Sequence, residues 1–598
     1  MAPSSDADGA QSDSSAWRRL PWKVGHEGPR DGGARYRHSP PCGDNALEGR
    51  GVVVANGAAR RGSVYGIAAL LVASTALAMF LNIRLNHGLS DDHFGYLAMA
   101  QQIRFGEVPI RDFVDLGTFL HLWMSAAVAQ AGDFFLSELL MSWAFIVAGQ
   151  AVAMYLVWRG TGSLVAAALA GIVTMLMFPR PYSFPKVFVY PVTVWLLWNY
   201  VDEPRRAGLW GLGLWAAAAL LLRFDHGVAV LVSALGTVLL AHGTQSLGRA
   251  GRSVGELTAA FVVGLLPFLV FLSMNVGVLT HIETMLAFFR YGLDEAERIR
   301  WQPFLGDPWL TGRRGTAFLY DVIALLTVAA TLWAGARLMR DFTSLRRFST
   351  PTLRLCAVVG LWLTSAPMLV RNNFEARIPD ASSLLVIMAG LVAVPWRTLG
   401  TAPPRRLRVA YGAGGIAIAG FAILAVVRGG GTHFTLDSIQ EVFSLELARG
   451  NIASLTVSPP IDGYAAADIR GEGGLERYLH ECTRPDDRVL VPFFHPQLYV
   501  YAERGFAGGQ WRYFRFHNSS DEQSATLQKL ATEHVPVAIL RRSEWESFRA
   551  EWELLANHIE SRYRRVDTYR PEGDDIEVWV DRSRSPTGTA GGDVPCFR

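Results

Sequence analysis

The stretch SDDHFGYLAMAQQI, Ser90 to Ile103, brings two carboxylates, an imidazole and a phenol into two turns' length of chain. Asp92, Tyr96, Ala100 and Ile103 recur at helical spacing, with Asp91 and Asp92 at the helix start. A carboxylate in such a place can take a proton from an attacking hydroxyl as a general base. It can equally cap the helix by accepting backbone N–H bonds and complementing the dipole, so spacing alone does not identify a base. His93, alone beside two acids, reads as a surface residue more readily than as a metal ligand. No HExxH-type spacing occurs and no required metal is expected, although a divalent ion at Asp91, Asp92 and His93 stays open.

Three further polar motifs interrupt apolar sequence: RPYSFPK (Arg180 to Lys186), LRFDHG (Leu222 to Gly227) and RNNFEARIPD (Arg371 to Asp380). An ionisable group at mid-membrane depth costs about 2.5 to 3.5 kcal/mol, so Arg223, Asp225, Arg371 and Asp321 need partners or water. A shared polar cavity would supply both.

The elements that must position these residues are membrane helices. Half of the 598 residues are hydrophobic and 18% are charged, too apolar a balance for a soluble chain. The net charge of +3 spreads over 56 basic and 53 acidic residues, which argues against nucleic acid as a partner. The expected fold is a polytopic α-helical membrane protein with about 11 transmembrane helices and a C-terminal extracytoplasmic α/β domain. The spans are read at Val64–Ile83, Leu136–Trp158, Ser163–Phe178, Lys186–Val201, Ala207–Leu222, His226–His242, Leu257–Leu279, Thr316–Leu338, Leu353–Arg371, Ala381–Trp396 and Arg408–Val427.

Thr118 to Ala131 is apolar but short, and charge decides whether it crosses. If it stays on the surface and the N-terminus is cytoplasmic, then Arg159, Arg205, Arg206, Arg249, Arg252, Arg337, Arg340, Arg346, Arg347, Arg397, Arg405 and Arg406 all fall inside, as the positive-inside rule requires. The polar motifs then share the outer face. The domain reading is a disordered cytoplasmic tail over 1–62, a transmembrane domain over 63–428 with its first outer loop at 84–135, the α/β domain over 429–583, and a flexible tail over 584–598. Within the α/β domain, RVLVPFF, PVAIL and IEVWVD read as strands and Ser520 to Leu530 as a capped helix. Cys42, Cys356, Cys482 and Cys596 show neither metal-ligand spacing nor a disulfide framework, and a Cys482–Cys596 bridge is not expected.

The acidic pair followed by Tyr96 and Ala100, then GEVPIRDFVDLG (Gly106 to Gly117) and an apolar surface helix, resembles the first outer loop of the GT-C glycosyltransferases. More narrowly it is similar to bacterial relatives of the protein O-mannosyltransferases and the aminoarabinose transferases, over roughly Val64 to Asp380. PKVFVYP (Pro185 to Pro191), RFDHG and the Arg371 to Arg377 segment add to the resemblance, and Asp486 to Gly505 resembles the C-terminal domains of such proteins. The resemblance implies a hexosyl- or pentosyltransferase in the inner (plasma) membrane, working on its outer face. The implied partners are a polyprenyl-phosphate sugar donor, an envelope acceptor (glycan, lipid or protein) and the lipid bilayer. Asp92, or Asp91, would be the catalytic base, with inversion at the anomeric carbon.

One departure stands out: Asp115 is followed by Leu116, Gly117 and Thr118, where many relatives carry a Lys-Pro pair that meets donor phosphate. Guanidinium is the better fork for phosphate, so Arg371 and Arg377 lead as clamps, followed by Arg223, Lys186 and Arg180. The competing reading pairs the arginines with Glu375, Asp380 or Asp225 and makes Lys186 and Arg180 headgroup anchors. Tyr96, Asp112, Asp115, Asp225, His226 and Glu375 would line the substrate pocket. The alternative functions are a lipid-linked-substrate transporter or flippase, for which no inverted repeat is found, and a non-catalytic envelope scaffold.

Overall fold

The computed structural model describes residues 48–84, 91–132, 134–177, 179–298, 314–370, 378–393, 444–457, 472–570, 574–590 and 594–597. Two compact units divide between Arg61 and Gly62, and everything below concerns the second. Its helices are the part of α1 (Glu48–Arg84) from Gly62 onward, α2 (Asp91–Arg104), α3 (Phe119–Ala131), α4 (Phe134–Thr161), α5 (Leu164–Leu176), α6 (Phe184–Asp202), α7 (Arg206–Leu222), α8 (Phe224–Gly243), α9 (Leu247–Asn275), α10 (Val278–Arg298), α11 (Arg314–Leu345), α12 (Thr350–Val370) and α13 (Ile378–Ala393).

Five of these hold stretches long and apolar enough to cross a membrane: Val64–Arg84, Phe134–Thr161, Phe224–Gly243, Leu247–Asn275 and Val322–Leu345. Exposed apolar side chains mark their outer faces, Val262, Val263, Leu266 and Val270 on α9 and Leu325, Val328 and Leu332 on α11. Such ribbons, unfavourable in water, suit a hydrocarbon surround. Where helices meet, small residues let backbones close in: a Cβ at Gly149 of α4 would collide with the Val187 carbonyl of α6, and one at Gly213 of α7 with Leu257 and Ala260 of α9. The described parts of ten of the expected apolar runs are helical, except that Leu257–Leu279 runs across the break between α9 and α10, and Arg408–Val427 lies outside the described residues. Helix α3 has 13 residues, roughly 20 Å of length, short of the roughly 30 Å of hydrocarbon.

Towards the C-terminus the chain builds a five-stranded sheet in the order β2-β1-β3-β5-β4. Here β1 is Arg488–Leu490, β2 Gly505–Phe506, β3 Val537–Arg541, β4 Tyr563–Tyr569 and β5 Ile576–Asp581. The first three strands run parallel, while β3, β5 and β4 are antiparallel. The helix Ser520–Thr532 between them is closed by a capping box of Ser519 and Glu522.

Two expectations fail here. Cys482 and Cys596 are disulfide-bonded across 114 residues. Nor is the end of the chain a loose tail: β6 (Gly588–Ala590) and β7 (Val594–Cys596) form a hairpin, and Phe597 is buried with its N–H donating to the Cys482 carbonyl. The composition after Arg584 is polar, but a covalent tie and one buried ring outweigh it.

Candidate functional site

Helix α2 is held on two sides. On one, Gln101 donates to the Tyr499 and Arg504 carbonyls, and Gln102 exchanges hydrogen bonds with the Phe506 backbone. Trp511 lies so close to Gly95 that a Cβ there would stand 2.6 Å from the indole. On the other, His93 and Glu138 of α4 meet at 2.7 Å with neither side chain exposed, and Ser142 donates to the second Glu138 oxygen at 3.1 Å. The expected surface histidine is therefore a core residue, its charge partner 45 positions away.

This clamp fixes Asp92 on the first turn of α2. Its Oδ2 accepts a hydrogen bond of 2.8 Å from the Tyr182 hydroxyl. Oδ1 makes no hydrogen bond among the described residues, and the side chain is part-exposed. Tyr182 belongs to a short 3-10 turn, Pro181–Ser183, that the apolar pattern does not disclose. Its ring stacks on Tyr96, which also stacks on His121 at 4.7 Å, and the Arg180 guanidinium lies 4.7 Å over Tyr182. Asp91 is the first residue of the same helix.

The cations gather around this stack, each with an acid. Lys186 Nζ is 2.7 Å from Asp380 Oδ2 and Arg180 Nη2 is 3.2 Å from the same oxygen, so two cations of the α6 entry share one carboxylate at the start of α13. Lys186 is 1% exposed, which removes the reading of it as a headgroup anchor. Arg223 pairs with Asp225 at 3.0 Å and reaches the Tyr96 hydroxyl at 3.5 Å. His226 is buried and hydrogen-bonded through Nδ1 to the Tyr190 hydroxyl. The internal ion-pair alternative thus describes Arg223, and Lys186 and Arg180, for which headgroup anchoring was the alternative, are ion-paired as well. Arg371, Arg377 and Glu375 lie outside the described residues, as does the side chain of Asp91.

The two aspartates of the loop after α2 separate from one another. Asp112 accepts from the Val108 N–H at 2.7 Å and from Arg111, and its carbonyl accepts from Lys529. Burial opposes its ionisation, but Arg111 and Val108 outweigh burial and hold the carboxyl below the usual range. Rather than lining a pocket, it belongs to the seam with the sheet domain, where Glu107 also pairs with Arg488 and Lys529. Asp115 is buried, accepts from the Thr118 N–H and hydroxyl through Oδ1, and has no partner for Oδ2 among the described residues. Burial pushes it up to about 6 against the pull of the Thr118 bonds. Where the Lys-Pro pair was missing, Gly117 adopts φ +86° and its carbonyl accepts from the Phe224 N–H, joining the loop to the Arg223–Asp225 turn.

Sequence reading missed Tyr182 as a partner of Asp92, and Asp380 appeared only as an alternative partner for the arginines. The signal for both was their place in the motifs beside Lys186 and Arg377. Among the described residues no group of three or more His, Cys, Asp or Glu is placed to hold a metal. Neither a protein-family model nor a curated protein matches the chain. Chemically the arrangement offers a part-exposed carboxylate with one open oxygen, a phenol that orients it, and guanidinium groups alongside.

Proposed function

We propose that this chain transfers a sugar from a polyprenyl-phosphate donor to an acceptor hydroxyl on the outer face of the membrane. The observation that carries this is the Asp92 carboxylate, oriented by Tyr182 with Oδ1 left for a substrate, beside the Arg180 guanidinium. Asp92 takes the proton as the acceptor oxygen bonds to the anomeric carbon. The bond from that carbon to phosphate breaks, its electron pair leaves on polyprenyl phosphate, and configuration inverts. Arginine neutralises the charge growing on the leaving group, from Arg180 and Arg223 and, in the Arg371 to Arg377 segment, from the two clamps read from sequence. The scheme uses no metal.

Eleven crossings, a cytoplasmic N-terminus and an extracytoplasmic sheet domain in the plasma membrane complete the proposal. A disulfide in that domain supports the side, since such bonds persist in oxidising compartments. Its seam with α2, the helix that carries Asp92, supports assigning both to one side. Purified protein presented with polyprenyl-phosphate sugars and envelope extracts should move labelled sugar onto an acceptor identified by mass analysis. Delivery of intact donor across proteoliposomes without cleavage would instead identify a carrier. Reporters joined after Arg347 and after Arg504 should read cytoplasmic and external, and an external Arg347 would overturn the topology.

A further inference from the structure

At the far end of α6 from Lys186, about 24 Å along the helix axis by its rise per residue, lies a second polar cluster. Asp202 ends the helix and receives two guanidinium groups: Arg159 from the end of α4 at 2.6 Å, and Arg354 from the second turn of α12, whose Nε is 2.7 Å away. Arg159 also donates to Asn199 at 2.7 Å. Both guanidiniums lie over the Trp198 ring, at 6.0 and 5.5 Å, and the indole N–H donates to the Arg354 carbonyl.

Arg159, Arg354 and Trp198 line a cleft of about 260 Å³ together with Gly162, Trp333, Pro351 and Leu355. Two cations face one carboxylate, so one positive charge is left over, and Arg354 Nη1 makes no hydrogen bond among the described residues. Gly162 precedes the start of α5 and Pro351 stands in the first turn of α12, while Arg159 and Asp202 stand at the ends of α4 and α6, so helix ends of both signs meet here and the surplus charge is that of the guanidiniums. Trp333 lies on α11, a helix whose Leu325, Val328 and Leu332 are exposed as a membrane-facing ribbon.

We infer that this cleft binds the phosphate group of a membrane lipid, with the acyl chains lying along α11. The ligand chemistry is a phosphodiester or phosphomonoester anion. The membrane lipid is favoured over free phosphate because Trp333 brings α11, the helix that carries the exposed apolar side chains, into the cleft wall. The site lies at the opposite end of the bundle from Asp92 and stands apart from the proposed sugar transfer.

Native mass spectrometry of the full chain in detergent, loaded with equal amounts of phosphatidylglycerol and diacylglycerol, tests it. The phosphate-bearing lipid should be retained over the phosphate-free one by about tenfold, the size of one charge-assisted hydrogen bond. Arg354→Gln, which removes the surplus charge, and Leu355→Phe, which fills the cleft and leaves the charges, should each bring the ratio to parity. Thermal unfolding of both variants confirms assembly. Displacement of phosphatidylglycerol by millimolar inorganic phosphate would overturn the lipid as occupant in favour of the free anion. Equal retention of the two lipids by the wild type, or an undiminished preference in both variants, would overturn the site itself.

Discussion

Tyr182 donates its hydroxyl to Asp92 Oδ2, so the phenol sets the rotamer of the group proposed to meet the acceptor. A hydrogen bond to a charged group contributes about 1.5 to 3 kcal/mol, and here its loss should appear as misorientation rather than weaker donor binding. Tyr182→Phe should therefore lower kcat by at least about tenfold with little change in donor KM, read from steady-state transfer. A loss confined to KM would make Tyr182 a donor contact. Asp115 makes a claim on stability instead of rate. Its carboxyl is raised from the ordinary 3.8 to about 6 by burial, so the folded chain holds a proton there that the unfolded chain releases. Stability from this group is fully present below about pH 4 and is lost as pH rises through about 6, a difference of at most about 3 kcal/mol. Asp115→Asn keeps an acceptor for Thr118 without the charge. It should raise the thermal midpoint at pH 7.5 and converge on the wild type near pH 4, and a lower midpoint at pH 7.5 would mean that the ionised form has a partner.

At the scale of elements, the entries of α6 and α13 are joined by Lys186 and Asp380, a buried pair with a second cation, Arg180, on the same carboxylate. Breaking such a pair from one side leaves an uncompensated buried charge and costs about 3 to 5 kcal/mol, whereas removing both charges costs much less. Asp380→Asn should accordingly destabilise the chain strongly, and Lys186→Met added to it should recover most of the loss, measured as a double-mutant cycle of thermal unfolding. Additive losses would show that the two side chains act separately. This pair also marks where sequence reading stops. Lys186 and Arg180 were legible as cations in a polar break between apolar runs. Their shared acid is 194 residues from Lys186, and no periodicity carries information over that separation. The Cys482–Cys596 bridge escaped for the same reason, as did the burial of His93 against Glu138. Local signals fared better. The strands at Arg488, Val537 and Ile576 and the helix at Ser520 announce themselves through β-branched runs and a Ser-x-x-Glu cap, which act within a few residues.

For the whole molecule, the sheet domain is packed against the helix that carries Asp92. Gln101, Gln102, Gly95 and Glu107 tie α2 and its loop to residues near or beyond position 488, while His93 ties the same helix to α4. The carboxylate is thus held between a bundle with lipid-suited faces and a disulfide-closed domain, a setting in which an acceptor hydroxyl and a lipid-borne donor can approach from different sides. The central claim is that this carboxylate removes the acceptor's proton. Asparagine retains most of the capping capacity of aspartate but cannot accept a proton, so Asp92→Asn separates the base from the cap. The most direct measurement is the rate of labelled sugar transfer from a polyprenyl-phosphate donor by wild type and by Asp92→Asn, with equal thermal midpoints as the control for folding. The expected result is transfer by the wild type and a rate at least about 10²-fold lower in the variant, with Asp91→Asn milder. Wild-type turnover in Asp92→Asn would contradict the account and return Asp92 to the role of a helix cap.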